Sequence, residues 1–182
     1  NFSGYKVWEE NQEAYKLALN YVKKFREMKE KNQGLLLYGP VGTGKSFTAA
    51  CIANALMEQN ITVIMTSFVK ILQDIGTGDE ASYIQILNSA SLLIIDDLGA
   101  ERNTDYALEK VYNVIDSRIR TDKPMILTTN LELSEMLQTT DIRYRRVYDR
   151  IFETCYPVEM PGKSFRQIEA AQRFNDMKEL LQ

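Results

Sequence analysis

The sequence predicts an α/β fold in which a parallel β-sheet is covered by helices on both faces. Three observations carry this expectation. Short apolar runs alternate with segments of helical period along the 182 residues. The runs are near-continuously apolar, as strands buried on two faces require. Every polar motif falls at the carboxyl end of such a run, where open parallel sheets bind their ligands.

The elements follow in order. Residues 9–31 are charged and helical, with Tyr15, Leu19, Val22 and Phe25 spaced by three and four. Leu35-Leu36-Leu37-Tyr38 is a short buried strand that runs into a glycine-rich turn at 39–44, and a helix follows over 45–59. Residues 61–66 are rich in β-branched side chains and form the second strand. A helix over 68–75 is stopped by Gly76-Thr77-Gly78, and another helical piece covers 81–88. The third strand, 92–95, ends at Asp96. An amphipathic helix over 104–120 sets Leu108, Val111, Ile115 and Ile119 on one face. The fourth strand, 125–129, ends at Asn130. A helix over 142–152, a fifth strand over 157–160 and a last helix over 164–181 complete the chain. The expected organisation is one domain, with a helical lead-in over 1–33 and a core over 34–182.

Composition narrows the chemistry. Hydrophobic residues make up 45% and charged residues 26%, with a formal net charge of −3. That balance argues against sequence-blind nucleic-acid binding over the whole surface but leaves room for a local basic groove. The chain has no histidine, and its two cysteines, Cys51 and Cys155, are far apart. The usual zinc sites and histidine-based triads are therefore excluded. The cysteines read as buried, reduced thiols of a cytoplasmic protein. No apolar run reaches the length of a membrane span, and no signal-like segment opens the chain, so no membrane contact is expected. The first residue is Asn1 rather than Met, so further residues upstream are expected.

The chemistry centres on Gly39-Pro40-Val41-Gly42-Thr43-Gly44-Lys45-Ser46, a full match to GxxxxGK[ST]. Glycines let backbone N–H groups turn inward and approach phosphate oxygens. The helix that follows sets its positive end against the anion. Lys45 would reach the β- and γ-phosphates, and Ser46 would offer its hydroxyl to Mg²⁺. Leu92-Leu93-Ile94-Ile95-Asp96-Asp97 is an apolar strand ending in acids, the Walker B pattern, and Asp96 would hold Mg²⁺ through its water shell. Asp97 is the candidate base that orients the attacking water, or else a turn cap, and Glu101 is its back-up.

Three further features leave alternatives open. Asn130 is either a polar group for the water and γ-phosphate or a plain turn residue. Arg143, Arg146 and Arg150 share one helix face, which is either a solvated basic face or an arginine finger for a neighbouring subunit. Arg166 lies in the first turn of the last helix, where a cation opposes the helix dipole. It therefore needs either an ordinary salt bridge or a bound anion.

These motifs, together with Ile94-Ile95-Asp96-Asp97-Leu98-Gly99-Ala100-Glu101, Thr128-Thr129-Asn130, Arg146-Val147-Tyr148-Asp149-Arg150 and Pro161-Gly162-Lys163-Ser164-Phe165-Arg166, resemble the AAA+ ATPase domain of DnaC/DnaI-type replicative helicase loaders and the related IstB proteins. The resemblance covers nearly the whole chain. It implies a three-layer P-loop NTPase fold of the AAA+/ASCE type, with a five-stranded parallel sheet in the order 5-1-4-3-2 and no separate C-terminal lid domain. It implies that ATP or ADP is held by the 39–46 loop, Phe47 and Arg166, the last as sensor 2. Asn130 becomes sensor 1, and Arg146 a finger acting in trans, with Arg150 close behind and self-association through the Arg146 face.

The implied partners are a hexameric DnaB-type helicase, contacted mainly through a domain upstream of this chain, and single-stranded DNA. The DNA contact would be weak here, because Lys70 is the only basic residue of the 67–88 segment that would make it. A bacterial, phage or mobile-element source is implied. Asp97 stands where most AAA+ proteins have Glu, and the shorter acid implies slow hydrolysis. The alternative function is an IstB-like, nucleotide-gated adaptor for DNA transposition. A P-loop small-molecule kinase ranks last, because it does not predict Asn130, the arginine-bearing helix and Arg166 together.

Overall fold

The computed structural model describes residues 2–8, 10–99 and 104–181. Five parallel strands form the sheet: β1 (Gly34–Tyr38), β2 (Val63–Ser67), β3 (Leu92–Leu98), β4 (Met125–Thr129) and β5 (Cys155–Glu159). Their order is β2-β3-β4-β1-β5, the expected 5-1-4-3-2 read from the other edge. β4 thus lies between the two strands that lead to the phosphate loop and to the paired acids.

Side chains that alternate along each strand feed two cores. Leu35, Leu37, Leu92, Ile94 and Ile126 face one side. There they meet α1 (Gln12–Lys23), α2 (Phe25–Glu30) and α3 (Lys45–Met57). Leu36, Leu93, Ile95 and Leu127 face the other side. They are covered by α4 (Phe68–Thr77), α5 (Glu80–Ser89), α6 (Asp105–Arg120) and α8 (Ile142–Thr154). The remaining helices are α7 (Leu133–Gln138) and α9 (Phe165–Leu180). Leu108, Val111, Ile115 and Ile119 are all buried, as the period of α6 predicts.

Several expectations need correction. The lead-in helix breaks at Lys24, and its buried stripe is Ala14, Ala18, Tyr21, Val22 and Phe25, while Tyr15 and Leu19 are only half-buried. α4 runs through Gly76 and stops only at Gly78. α7 was not expected. It is one short turn and a half held by a capping box between Glu132 and Glu135. β5 starts earlier than expected and includes Pro157, which an edge strand tolerates. β3 does not end at Ile95 but continues through both acids to Leu98. Cys51 and Cys155 are buried and form no disulfide among the described residues, and burial pushes the Cys155 thiol up to about 12. Among the described residues no helix is long and apolar enough to cross a membrane.

Candidate nucleotide site

The buried run of β1 ends at Tyr38, and the chain turns through Gly39, Gly42 and Gly44, all at positive φ, into α3. Close packing explains two of these glycines. A Cβ on Gly42, at φ +86°, would lie 2.1 Å from Ser164 Oγ, and one on Gly39 would lie 2.7 Å from the Met160 carbonyl. The segment between β5 and α9 therefore presses directly on the loop. Phe165 N–H also donates to the Gly42 carbonyl at 2.9 Å. Thr43 is buried and donates to the Pro40 carbonyl, so it braces the loop from within.

Lys45 is the first residue of α3 and is only 6% exposed. Its ammonium donates to the carbonyls of Gly39 at 2.7 Å and Pro40 at 2.6 Å. Desolvation lowers its pKa, Asp97 works against that shift, and Arg166 adds to it. Burial is thus the main cost of keeping Lys45 charged, and a bound anion would offset it.

The paired acids sit in a bulge. Ile95 pairs with Leu127 and Leu98 with Thr129, so β3 carries one residue more than β4 between these points. Asp97 takes up the extra length at φ +64°, a left-handed conformation that Asp tolerates better than most residues. The last two residues of β4 and Asn130 just after it grip this bulge in turn. Thr128 Oγ1 accepts from Asp97 N–H at 2.9 Å and donates to Asp96 Oδ1 at 2.5 Å. Thr129 Oγ1 donates to the Leu98 carbonyl at 2.7 Å. Asn130 Nδ2 donates to Asp97 Oδ1 at 3.0 Å.

Lys45, Ser46, Asp96, Asp97, Asn130 and Arg166 all border one cavity of about 650 Å³. Among the described residues Arg166 makes no salt bridge to a carboxylate. Ser46 and Asp96 offer hard oxygen ligands, which suit Mg²⁺. No group of three or more potential metal ligands occurs among the described residues.

Part of the cavity wall is aromatic, and of its rings only Phe47 was expected from the sequence. Tyr5 packs on Phe47 with ring centroids 5.6 Å apart, and its hydroxyl meets Thr48 Oγ1 at 2.8 Å. Trp8 lies 6.0 Å from the Phe165 ring. The buried Asn11 ties this segment down, accepting from Trp8 N–H at 2.8 Å and donating to the Lys6 carbonyl at 3.0 Å. A flat apolar ring fits such a wall. The signal was the aromatic density of residues 2–8, which follows no period.

The arginines of α8 lie elsewhere, and none borders the cavity. Arg143 pairs with Asp105 and Asp141, and Arg150 with Asp116 at 3.0 Å and Glu153 at 2.8 Å. Arg145 donates to the Thr139 carbonyl. Arg146 is exposed and rests 4.9 Å over the Tyr112 ring, with no carboxylate partner among the described residues. Arg143 and Arg150 are thus held in ion pairs, whereas Arg146 has only its contact with the Tyr112 ring among the described residues. Lys70 is paired with Asp74 at 2.6 Å. Glu101 lies outside the described residues.

Comparison with known proteins agrees with this geometry. The family described as IstB-like ATP binding protein matches residues 12–173. The replicative helicase loader DnaI of Bacillus subtilis is 26% identical over 162 residues, covering 81% of this chain and 51% of its own. The replicative helicase loader DnaC of Escherichia coli K12 is 27% identical over 162 residues, covering 83% and 62%. A putative ATP-binding protein in an insertion sequence of Mycobacterium tuberculosis is 27% identical over 143 residues, covering 75% and 57%. The chain thus spans between half and two thirds of the length of these relatives. A crystal structure of DnaI superposes with a TM-score of 0.73 at 23% identity, covering 90% of this chain and 89% of its own. AMPPCP-bound DnaA from Aquifex aeolicus gives 0.68 at 18% identity, covering 94% and 54%. At these identities the two structures speak for the fold alone, which is that of the P-loop AAA+ proteins.

Proposed function

The chain belongs to the IstB-like ATP-binding protein family, and on that premise we propose that it is a slow ATPase that loads a replicative helicase onto single-stranded DNA. One observation carries the ATPase reading. Lys45 and Ser46 of α3, Asp96 and Asp97 of β3, Asn130 just after β4 and Arg166 of α9 meet around one cavity. In this reading the loop amides and Lys45 bind the β- and γ-phosphates, and the aromatic wall of Tyr5, Trp8 and Phe165 takes the base. Mg²⁺ would be held by Ser46 and Asp96 and would neutralise charge on the phosphates. Asp97 orients the attacking water, Asn130 holds Asp97 in place, and Arg166 offsets phosphate charge. Arg146 acts on the nucleotide of a neighbouring copy, which its exposure and lack of a carboxylate partner support.

The loader reading draws on the DnaI and DnaC relatives, which match over more of the chain than the insertion-sequence relative does. The insertion-sequence relative favours a second reading, a nucleotide-gated adaptor for transposition. Within the 67–88 segment, which would contact DNA in the loader reading, Lys70 is already paired with Asp74.

Phosphate release from ATP by the purified chain tests the ATPase, and no release above a Lys45→Ala control would overturn it. Mixing Arg146→Ala with Asp96→Asn under assembling conditions tests the trans role. Recovered turnover supports it, and two inactive partners that stay inactive together refute it. Co-purification of the full-length protein with a replicative helicase, in ATP and in ADP, separates the two cellular readings. A helicase complex supports loading, whereas association with a transposase instead supports the adaptor.

A further inference from the structure

We propose that Thr128 is the positioning residue that sets both Walker B acids through a single hydroxyl. This deepens the ATPase reading and rests on it. The bulge at Asp96-Asp97 removes the regular ladder bond to β4 at this point, so the Asp97 amide needs another acceptor. It finds Thr128 Oγ1 at 2.9 Å. A backbone N–H can only donate, so the hydroxyl proton is free to point elsewhere. It goes to Asp96 Oδ1, 2.5 Å away. The chain of bonds therefore has one direction, from the Asp97 amide through the Thr128 hydroxyl to the Asp96 carboxylate.

Two consequences follow from this polarity. One oxygen of Asp96 is fixed by the threonine, so the other would be the one available to a metal ion's water shell. The left-handed turn of Asp97, at φ +64°, is held by the same oxygen, so the metal ligand and the water-orienting acid are set together. Thr128 is 1% exposed and sits on a central strand, so this hydroxyl has little freedom to look for other partners. Asn130 reaches the same unit from the other side, at Asp97 Oδ1.

The test combines isosteric replacement with a measurement on the unaltered protein. Thr128→Val keeps the shape and removes the relay, and Thr128→Ser keeps the hydroxyl. The valine variant should bind a fluorescent ATP analogue in EDTA within about twofold of the parent, while the Mg²⁺ concentration for half-maximal binding enhancement and turnover rises roughly tenfold. The serine variant should return that concentration to within about twofold. A valine variant with unchanged Mg²⁺ dependence, or a serine variant as impaired as valine, overturns the proposal. In the unaltered protein, hydrogen exchange by NMR should find the Asp97 amide protected at least about a hundredfold despite its exposed side chain. Exchange at the rate of a free amide overturns the proposal even if the variants do not fold. An unaltered protein that binds no nucleotide removes the ATPase reading but leaves the exchange result standing on its own.

Discussion

The two ends of the sheet solve opposite problems. At the carboxyl end the backbone is irregular and the side chains face a cavity. Asp97 is left-handed, β3 bulges, and Asp97 and Asn130 are exposed. At the amino end a charge is sealed in. Arg118 of α6 is fully buried and donates to the carbonyls of Leu87, Ala90, Ser91 and Pro124. No carboxylate neutralises it among the described residues, and burial pushes it down to about 10. Its planar fork staples the end of α5 to the starts of β3 and β4. The lesson is that polar groups are saturated where the fold must not move. They are left with spare capacity where a ligand must enter.

The largest expected effect breaks the staple. Arg118→Met removes the guanidinium donor from the buried Leu87 and Ala90 carbonyls, the part-buried Ser91 carbonyl and the Pro124 carbonyl, which keeps Leu93 N–H, and should cost about 4 kcal/mol, lowering Tm by roughly 10 °C. Calorimetry measures this, and nucleotide affinity of the folded fraction should not change. A loss of affinity as large as the loss of stability would mean the two ends are coupled.

The next effect is the mirror image. Lys45→Met should weaken nucleotide binding by about 100-fold, or about 2.7 kcal/mol, while Tm stays level or rises. The sign follows from linkage. The folded pKa of Lys45 lies below its unfolded value, so its charge disfavours folding below that pKa, and removing it relieves the penalty. A Tm lowered by more than about 3 °C would make Lys45 a structural residue.

Asn130→Ala should lower turnover roughly tenfold, or about 1.4 kcal/mol, with nucleotide affinity nearly intact. Steady-state kinetics and equilibrium binding together decide this, and an affinity loss of the same size would contradict the role. The smallest effect is chemical. Cys155 lies at the amino end beside the Met125 carbonyl, buried, with its thiol held protonated near neutral pH. It should react with a thiol reagent no faster than the protein unfolds globally, and Arg118→Met should speed that labelling.

The sequence made the sheet and the phosphate loop legible because both depend on local pattern. The apolar strands and GxxxxGK[ST] need no tertiary context, and the sheet order came with the family resemblance. What stayed hidden depends on contacts between distant segments. The bulge of β3 is visible only against β4, so the strand seemed to stop at Ile95 and Thr128 passed for an ordinary strand residue. α7 starts on Glu132, an unusual cap, and is too short to show a period. Arg118 did leave a trace. It follows Val114 by four and Ile115 by three, on the apolar face of α6, where a charge has to find partners. Tyr5 and Trp8 lie in a segment without period, so only folding the lead-in over the loop reveals them as a wall.

The grip of the β5–α9 segment on Gly42 carries a mechanical consequence. α9 has sixteen residues, about 24 Å, and among the described ones none is buried, with Phe174 at 73% and Leu180 at 79% exposure. It is a rod clamped at its root, where Ser164 and Phe165 touch the glycine turn and Arg166 enters the cavity. Arg166, Ile168, Glu169 and Gln172 line the cavity from the first two turns of α9, so a load applied along the exposed helix would be felt first at the residues that border the nucleotide site.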